Sequence, residues 1–249
     1  MTMILSFKRA IWTTILSTVV PIWGQIVSHT SQDCEKSCSI YVGVQGGPAS
    51  YNGRYTAQEG VNTVAFESGS TSGIIGGCIG VDGRIGSGYL AIEGNVYYDT
   101  LDHMIGLLTS ATGIPNHIIK IKNPLLGSGI AKLGFYAGDV AVYALGGVTA
   151  GRWYFGLEND SAINWTRGIA PQNSMFFSKN MMGAKVGGGV RFPFFYDWLD
   201  FDVQYSYNWY GECPLPPLRD LQTNLIWNHT FRNDQHLFLF SLNADLYSF

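Results

Sequence analysis

The sequence predicts an all-β protein: an eight-stranded antiparallel up-and-down transmembrane β-barrel with short periplasmic turns and long extracellular loops. Three observations support this prediction, namely an export signal, a scarcity of charged residues, and segments in which apolar and polar residues alternate. Only 13% of the 249 residues are charged, against roughly 25% in typical soluble domains, while 14% are aromatic and 31 are glycine. The chain therefore carries few charges for a surface in contact with water.

The amino-terminal segment is predicted to be a secretory signal peptide, with cleavage between residues 24 and 28. Lys8 and Arg9 precede an apolar run that ends at Trp23 and is short for a membrane helix. A retained anchor helix is the alternative interpretation. The predicted domains are the signal peptide at 1–24, a periplasmic segment at 25–38 and the outer-membrane β-barrel at 39–249.

Charge and hydropathy exclude two classes of protein. The formal net charge is −3, and removal of the signal deletes two cations and no acids, which leaves −5. Because nucleic-acid binding relies on basic surfaces, nucleic acid is not predicted as a partner. Beyond the signal there is no run of about 18 apolar residues, so a closed barrel is the remaining way for this chain to span lipid.

Eight segments are predicted to be strands, and in most of them apolar and polar residues alternate with a period of two. They cover residues 39–49, 72–82, 88–99, 128–137, 140–153, 180–192, 199–210 and 236–249. Bacterial barrels have an even number of strands, with short turns on the periplasmic side and long loops outside. Short turns are predicted at 83–87, 138–139 and 193–198, and long loops at 50–71, 100–127, 154–179 and 211–235.

The first four strands each separate aliphatic residues from polar or ionisable ones. Their predicted lipid-facing residues are Ile40, Val42 and Val44; Ile75, Ile79 and Val81; Leu90, Ile92, Val96 and Tyr98; and Ala131, Leu133 and Phe135. Their predicted inward residues are Tyr41 and Gln45; Cys78 and Asp82; Glu93, Asn95 and Asp99; and Lys132 and Tyr136. A Lys or Arg on the lipid face costs about 2–4 kcal/mol at mid-membrane, so charges are expected inside.

The fifth and eighth strands are irregular. The fifth is apolar on both faces, so its orientation is predicted only by placing the charged Arg152 on the inward face. That choice predicts Tyr143, Leu145 and Trp153 to face outward. The eighth strand alternates regularly up to Leu246, after which the aromatic residues change parity, so a β-bulge is predicted near Leu246.

The seventh strand, LDFDVQYSYNWY, has the clearest alternation in the chain. Trp198 and Trp209 flank it, and a rise of about 3.3 Å per residue with a tilt near 40° places them roughly 28 Å apart in height. With Tyr207 they are predicted to form an aromatic girdle at the membrane interfaces. Ordinary packing in a soluble sandwich is the alternative for the two tryptophans.

Several segments together carry a resemblance to a known family. The secretory signal, the first strand IYVGVQGG, the hairpin GIIGGCIGVDGRIGSGYLAIEG with an inward Glu93, and the terminal Phe249 resemble small eight-stranded bacterial outer-membrane barrels. These are the membrane domain of outer-membrane protein A, outer-membrane protein X and the opacity-like surface antigens. The resemblance covers almost the whole mature chain, while Asn243 and Asp245 depart from the usual apolar alternation before the terminal aromatic.

The resemblance implies a location and a set of partners. It implies export through the Sec pathway, insertion into the bacterial outer membrane, and contact with outer-membrane lipid and lipopolysaccharide. It also implies that Phe249 belongs to the signal read by the barrel assembly machinery. No cofactor is implied.

The inward charges predict how the barrel is filled. An eight-stranded interior is only wide enough for side chains, and buried charges must be paired. We therefore expect a salt-bridged plug across the lumen, with several of the groups reaching water at the rims as the alternative. The predicted charge network consists of Glu93, Asp200 and Asp202 against Lys132, Lys185 and Arg191.

Cysteines and histidines predict little chemistry. Cys34 and Cys38 are close enough in sequence for a small-loop disulfide in an oxidising periplasm, or they pair with another protein. Cys78 and Cys213 are not expected to bond to each other. No metal site is predicted. The candidate catalytic residues are His103, His117, His229 and His236 with Ser110 and Ser241, and they form no recognisable nucleophile–base arrangement, so an enzyme is not predicted.

The long loops are predicted to carry the function. Rigid scaffolds display recognition loops, and the apolar second loop is expected to hold a short helix around Leu101–Ala111. The fourth loop is expected to extend as a hairpin. The predicted function is that of a structural or surface-binding (adhesin- or antigen-like) protein that binds a host or surface ligand. A narrow porin-like diffusion channel and an outer-membrane lipid-modifying enzyme are the alternatives.

Overall fold

Twelve strands make up the part of the chain that the computed structural model describes, which comprises residues 36–105, 117–159, 165–166, 174–194, 196–220 and 226–248. No helix among these residues is long and apolar enough to cross a membrane. The strands are β1 (Lys36–Glu59), β2 (Asn62–Ile85), β3 (Gly88–Asp99), β4 (Asp102–Ile105), β5 (His117–Lys122), β6 (Leu125–Ala137), β7 (Val140–Asn159), β8 (Trp165–Thr166), β9 (Ser174–Phe194), β10 (Tyr196–Tyr210), β11 (Cys213–Asp220) and β12 (Ile226–Ser248).

Eight of these strands close into a barrel. Their order around the sheet is β1-β2-β3-β6-β7-β9-β10-β12, and β12 pairs antiparallel with β1 to complete the ring. The predicted all-β, eight-stranded antiparallel barrel is therefore confirmed. Closure satisfies the backbone hydrogen bonds of every barrel strand and leaves no open edge along the ring.

The four remaining strands extend the sheet at one end of the barrel. β5 pairs with the last part of β7 and with β4, while β11 pairs with the first part of β12 and with β8. We call this the loop end, and the opposite end, which carries the connections at 86–87, 138–139 and 195, the turn end. The predicted hairpin in the fourth loop is confirmed by the β11–β12 pairing, with residues 221–225 outside the described part.

The strands are longer than the sequence predicted toward the loop end. The predicted loop at 50–71 is wrong, because β1 and β2 continue to Glu59 and Asn62 and only Gly60 and Val61 separate them. Large parts of the predicted loops at 154–179 and 211–235 are also strand. The alternation continues in these extensions, but with polar residues such as Arg54 outside and aromatic ones such as Tyr55 inside, which is the reverse of the membrane pattern.

The second predicted loop also differs from expectation. The helix predicted around Leu101–Ala111 is wrong where the structure describes it, since Asp102–Ile105 form strand β4. Residues 106–116 lie outside the described part. β4 pairs with β5, whose backbone in turn pairs with β7, so backbone groups are satisfied by a sheet ladder rather than within a helix.

Two tight turns at the turn end contain glycines with a left-handed backbone. Gly86 has φ 59° and Gly138 has φ 67°, and each lies in a two-residue connection between long antiparallel strands. Such positive φ angles are readily adopted by glycine and strained for most other residues. The third short connection, between Phe194 and Tyr196, passes through residue 195, outside the described part.

The outward face of the barrel strands carries an apolar belt. Its exposed members include Val44, Ile75, Ile79, Ile92, Val96, Leu133, Phe135, Val148, Met182, Val186, Phe238 and Phe240. The predicted parity of the fifth strand is wrong: Tyr143, Leu145 and Trp153 are buried inside, and Arg152 is exposed outside. Arg152 does not indicate the inward face of this strand, because it lies beyond the belt, where water solvates an outward cation.

The β-bulge predicted near Leu246 is confirmed. Ile40 pairs with Tyr247 whereas the next residue, Tyr41, pairs with Asp245, so Leu246 is the extra residue of β12. The bulge leaves Leu246 and Tyr247 both exposed on the outer surface. Phe249 lies outside the described residues.

Candidate functional site: the filled barrel interior

A buried lysine joins two carboxylates across the lumen. Lys132 Nζ lies 2.8 Å from Glu93 Oε2 and 2.9 Å from Asp202 Oδ2, and all three side chains are buried. The Tyr41 hydroxyl donates to Glu93 at 2.7 Å, and the Tyr143 hydroxyl donates to Asp202. Each carboxylate therefore accepts hydrogen bonds from one cation and one phenol, the arrangement in which buried charge is tolerated.

A second cluster surrounds Arg191 nearer the turn end. The guanidinium lies 2.5 Å from Asp82 through Nη1 and 2.5 Å from Asp200 through Nη2, and 3.5 Å from Asp245. Its Cζ also lies 4.5 Å from the centroid of the Tyr41 ring. We refer to the Lys132 and Arg191 clusters together as the ion-pair layer.

The sequence-based network omitted two members of this layer. Asp82 and Asp245 both lie on the inward face by the alternation of their strands, Asp245 just ahead of the bulge at Leu246, but the predicted network counts neither as a charge partner. Two cations, Lys132 and Arg191, consequently contact five carboxylates. A balance of three acids against three bases does not describe this interior.

Lys185 lies inside the barrel but outside these clusters. Its side chain is buried, at 0% relative exposure, and it forms no ion pair with the carboxylates of the described residues. Its Nζ lies 3.4 Å from the Tyr97 hydroxyl and 5.2 Å from the centroid of that ring. Lys185 and Arg191 thus share a strand and a face but have different surroundings.

This difference predicts that Lys185 is dispensable for stability. We expect Lys185→Met to raise the free energy of unfolding by about 1 kcal/mol, because a buried ammonium group without a carboxylate partner is replaced by an apolar chain of similar length. Urea unfolding of the detergent-folded barrel measures this change, with Arg191→Met as the destabilised comparison. A loss of stability in Lys185→Met as large as that in Arg191→Met would contradict the assignment.

Inward glycines make room for the tyrosine rings of the ion-pair layer. A Cβ atom at Gly80 would lie 2.5 Å from the Tyr41 hydroxyl, and one at Gly189 would lie 2.5 Å from the Tyr143 hydroxyl. The rings therefore lie directly over glycine backbone. The glycine-rich segments of β2 and β9 are a signal in the sequence for these inward tyrosines.

An aromatic layer fills the loop-end half of the lumen. It consists of Tyr51, Trp153, Phe155, Tyr210 and Phe231, all buried. The Trp153 ring centroid lies 5.5 Å from that of Tyr210, 6.0 Å from Phe231 and 6.1 Å from Tyr51. The sequence does not predict this layer, because Trp153 is predicted there to face outward.

Hydrogen bonds join the aromatic layer to polar groups beneath it. The Tyr51 hydroxyl donates to Asp99 and accepts from the Gln235 amide, which accepts from Asn208 at 2.8 Å. Asp99 also accepts from the Ser72 hydroxyl at 2.7 Å. Asp99 is thus a buried carboxylate that accepts from two hydroxyl groups and from the Leu101 backbone N–H, and the predicted charge network does not include it.

The predicted girdle residues lie on the outer surface. Trp198 and Trp209 are each 53% exposed, and the partly buried Tyr207 ring lies 5.0 Å from the ring of His236, which also faces outward.

The described cysteines lie in different parts of the barrel and form no disulfide with one another. Cys34 lies outside the described residues, so its disulfide with Cys38 stays a prediction. Cys78 is inside the barrel with Sγ 3.3 Å from Asn243 Oδ1, and Cys213 begins β11, where burial raises the pKa of its thiol. Neither thiol is bonded to the other.

Histidines and metal ligands form no cluster in the described part of the chain. His229 is buried beside the Tyr55 hydroxyl, and the ring of His236 hydrogen-bonds the Tyr205 hydroxyl at 2.8 Å. The Ser241 hydroxyl donates to Gln45 inside the lumen. Ser110 and the side chains of His103 and His117 lie outside the described part. No group of three metal-ligating side chains occurs among the described residues.

Comparison with known proteins identifies similar solved structures only. No protein-family model and no curated protein matches the chain. The attachment invasion locus protein Ail of Yersinia pestis is 13% identical, covers 81% of this chain and 98% of its own, and gives a TM-score of 0.35. The outer membrane protease OmpT from Escherichia coli is 10% identical, covers 84% of this chain and 97% of its own, and gives 0.42. At such values the likeness assigns neither a family nor a function.

Proposed function

We propose that this protein is an integral barrel of the bacterial outer membrane with a closed lumen, acting as a structural or surface-binding protein through its loop end. The observation that carries the proposal is the inversion of the usual distribution of residues. Lys132, Lys185 and Glu93 are buried inside, while large apolar residues are exposed outside. Soluble proteins almost never bury lysine and glutamate beneath an exposed apolar surface, whereas membrane barrels do.

The borders of the belt support the same proposal. Along the outward face of β7 the exposed residues Val148 and Ala150 precede Arg152, and on β9 Met182 is followed toward the loop end by Asn180. Outward polar residues, one of them charged, thus begin where the apolar belt stops. An apolar belt with polar borders is the pattern expected of a barrel embedded in lipid, because a charge costs most at mid-membrane and little near the interfaces.

Export and assembly are part of this proposal. Residues 1–24 act as the Sec signal peptide, and Phe249 contributes to recognition by the barrel assembly machinery. Outer-membrane lipid and lipopolysaccharide contact the belt, and a host or surface ligand contacts the loop end. The adhesin- or antigen-like role rests on the loop-end extensions, which present β4, β5, β8 and β11 beyond the barrel wall.

The closed interior favours a non-porous protein over a channel. The ion-pair layer and the aromatic layer lie at different heights, and each is built of buried side chains that contact one another across the lumen. We expect no stable conductance steps when the native protein is reconstituted in planar bilayers. Reproducible steps at low voltage would contradict a closed lumen.

The proposed function is also non-enzymatic. The two histidines whose side chains the structure describes both contact a tyrosine hydroxyl: His229 inside the barrel and His236 on its outer face. Lipid A from cells expressing the protein is expected to keep its mass. A mass shift that depends on the protein would favour the lipid-modifying alternative.

The membrane location predicts a position-dependent cost of adding charge outside. Val186 is in the belt on β9, and we expect Val186→Arg to lower the free energy of unfolding by about 2–4 kcal/mol in phosphatidylcholine vesicles. Asn180→Arg, on the same face at the border, is the matched control and is expected to cost about 0–1 kcal/mol. Urea titration with intrinsic fluorescence measures both. Equal small losses would indicate a barrel surrounded by water.

A further inference from the structure

A cleft of about 300 Å³ lies on the loop-end extension. It is lined by residues of three adjacent strands, β5, β7 and β9, which pair in register. One row across the strands is Lys122, Tyr154 and Ser178, and the next row toward the loop end is Lys120, Gly156 and Phe176. Residues paired across a sheet share a face, and Lys122, Tyr154, Ser178 and Phe176 are exposed, so these two rows face outward.

A glycine shapes the floor of this cleft. A Cβ atom at Gly156 would lie 2.8 Å from Cε1 of Phe176 and 3.6 Å from Cβ of Lys120. The Phe176 ring therefore lies over the glycine backbone with the two lysines of β5 on the other side. Phe176 is nevertheless 68% exposed, so one wall of the cleft is aromatic and open.

Arg152 adds a third cation at the border of the belt. It lies one outward position nearer the turn end than Tyr154, its Cζ is 5.3 Å from the Tyr154 ring centroid, and Nη2 donates to the Ser178 hydroxyl at 3.3 Å. The next outward residue toward the turn end is the exposed Ala150, which belongs to the belt side. The cations thus lie where the apolar surface stops.

We propose that this cleft binds the phosphorylated headgroup of a membrane lipid, an inference that rests on the proposed membrane location. Phosphate oxygens accept several charge-assisted hydrogen bonds at once, which suits convergent Lys and Arg donors. The acyl chains of the same lipid lie along the adjacent belt. The exposed aromatic rings occupy the level where Tyr and Phe side chains meet lipid headgroups.

The acidic neighbour of Lys122 permits this binding. Lys122 Nζ lies 2.8 Å from Asp102 Oδ2, and both side chains are more than half exposed. Exposed ion pairs contribute little free energy, so a phosphate competes readily with this carboxylate. On the opposite side of the barrel Arg54 also has a carboxylate partner, Glu67 at 3.8 Å, and is not among the residues that line this cleft.

The test uses the full mature chain folded in detergent and native mass spectrometry to measure lipid dissociation constants. The probes are dioleoylphosphatidic acid, dioleoylglycerol with the same chains and no phosphate, and inorganic phosphate. We expect phosphatidic acid to bind more tightly than either of the others. The double variant Lys122→Gln with Arg152→Gln is expected to weaken its binding about tenfold or more, because each interfacial cation contributes about fivefold.

Three further variants separate the contribution of charge in the cleft from that of its shape. Arg54→Gln is the matched control and is expected to change the dissociation constant less than twofold. Asp102→Asn, which frees Lys122, is expected to tighten phosphatidic acid binding. Gly156→Val keeps every charge but fills the floor of the cleft, and is expected to weaken binding.

The outcomes distinguish this inference from the proposed function. Equal affinity of the double variant and Arg54→Gln for phosphatidic acid would overturn the headgroup site, as would equal binding of inorganic phosphate and phosphatidic acid. Entry into phosphatidylcholine vesicles is measured on the same proteins by urea-resistant folding and by gel mobility with and without boiling. A wild-type chain that stays outside the vesicles overturns the proposed function as well, whereas insertion without a headgroup preference overturns this inference alone.

Discussion

Replacing Lys132 by methionine is expected to lower the free energy of unfolding of the barrel by about 3–5 kcal/mol, because removal of one partner leaves buried charge uncompensated. Lys132 is the cation that Glu93 and Asp202 share, at 2.8 and 2.9 Å. Without it two carboxylates face each other across a closed lumen with no cation between them, and the Tyr41 and Tyr143 hydroxyls remain as donors. Urea unfolding of the detergent-folded barrel, followed by tryptophan fluorescence, measures the loss.

Two variants show whether charge or packing causes this loss. Lys122→Met removes a lysine from an exposed ion pair and is expected to cost less than about 1 kcal/mol. Lys132→Met combined with Glu93→Gln and Asp202→Asn removes all three charges and is expected to recover most of the stability. A single Lys132→Met variant as stable as Lys122→Met would show that the lumen is wet enough to solvate the two carboxylates.

Truncation of Trp153 is expected to have an effect of similar size at the other end of the lumen. Trp153 has 0% relative exposure and lies within about 6 Å, centroid to centroid, of the rings of Tyr51, Tyr210 and Phe231. We expect Trp153→Ala to cost about 3–5 kcal/mol, because a large cavity replaces the indole in a packed layer. The same urea titration measures it.

The Trp153→Ala prediction has a control variant for stability and a second readout, the conductance of planar bilayers. Phe176→Ala removes an exposed ring of the same extension and is expected to change stability by about 0.5 kcal/mol or less. Trp153→Ala is expected to stay silent in planar bilayers, because the ion-pair layer closes the lumen independently. Conductance that appears in Trp153→Ala but not in the native protein would show that the aromatic layer alone seals the barrel.

The strands were predictable to the extent that their pattern is local. A period of two, with aliphatic residues on one face, marks seven of the barrel strands where they cross the belt and predicts the bulge at Leu246, whereas the fifth strand is apolar on both faces. The pattern failed beyond the belt. From Ser50 to Gln58 the outer residues are polar and the inner ones aromatic or small, so the segment resembles a surface loop until its pairing with β12 is known.

The candidate site shows the same division. Inward parity of Glu93, Lys132 and Asp202 follows from the alternation, but their contact does not, since Lys132 is 39 residues from Glu93 and 70 from Asp202. Nor does the sequence separate Lys185 from Arg191, which share a strand and a face. The parity of Trp153 was misassigned because both faces of β7 are apolar and Arg152 lies outside the belt.

The amino-acid order alone thus establishes the class of the fold, the number of barrel strands and which side chains of most strands face the lumen, because side-chain direction alternates with each residue of a strand. Closure of the ring and the register between strands establish which inward groups meet, since these depend on pairings between residues far apart in the chain. Those pairings place five carboxylates around Lys132 and Arg191, leave Lys185 beside Tyr97, and bring Lys120, Lys122 and Phe176 together around Gly156.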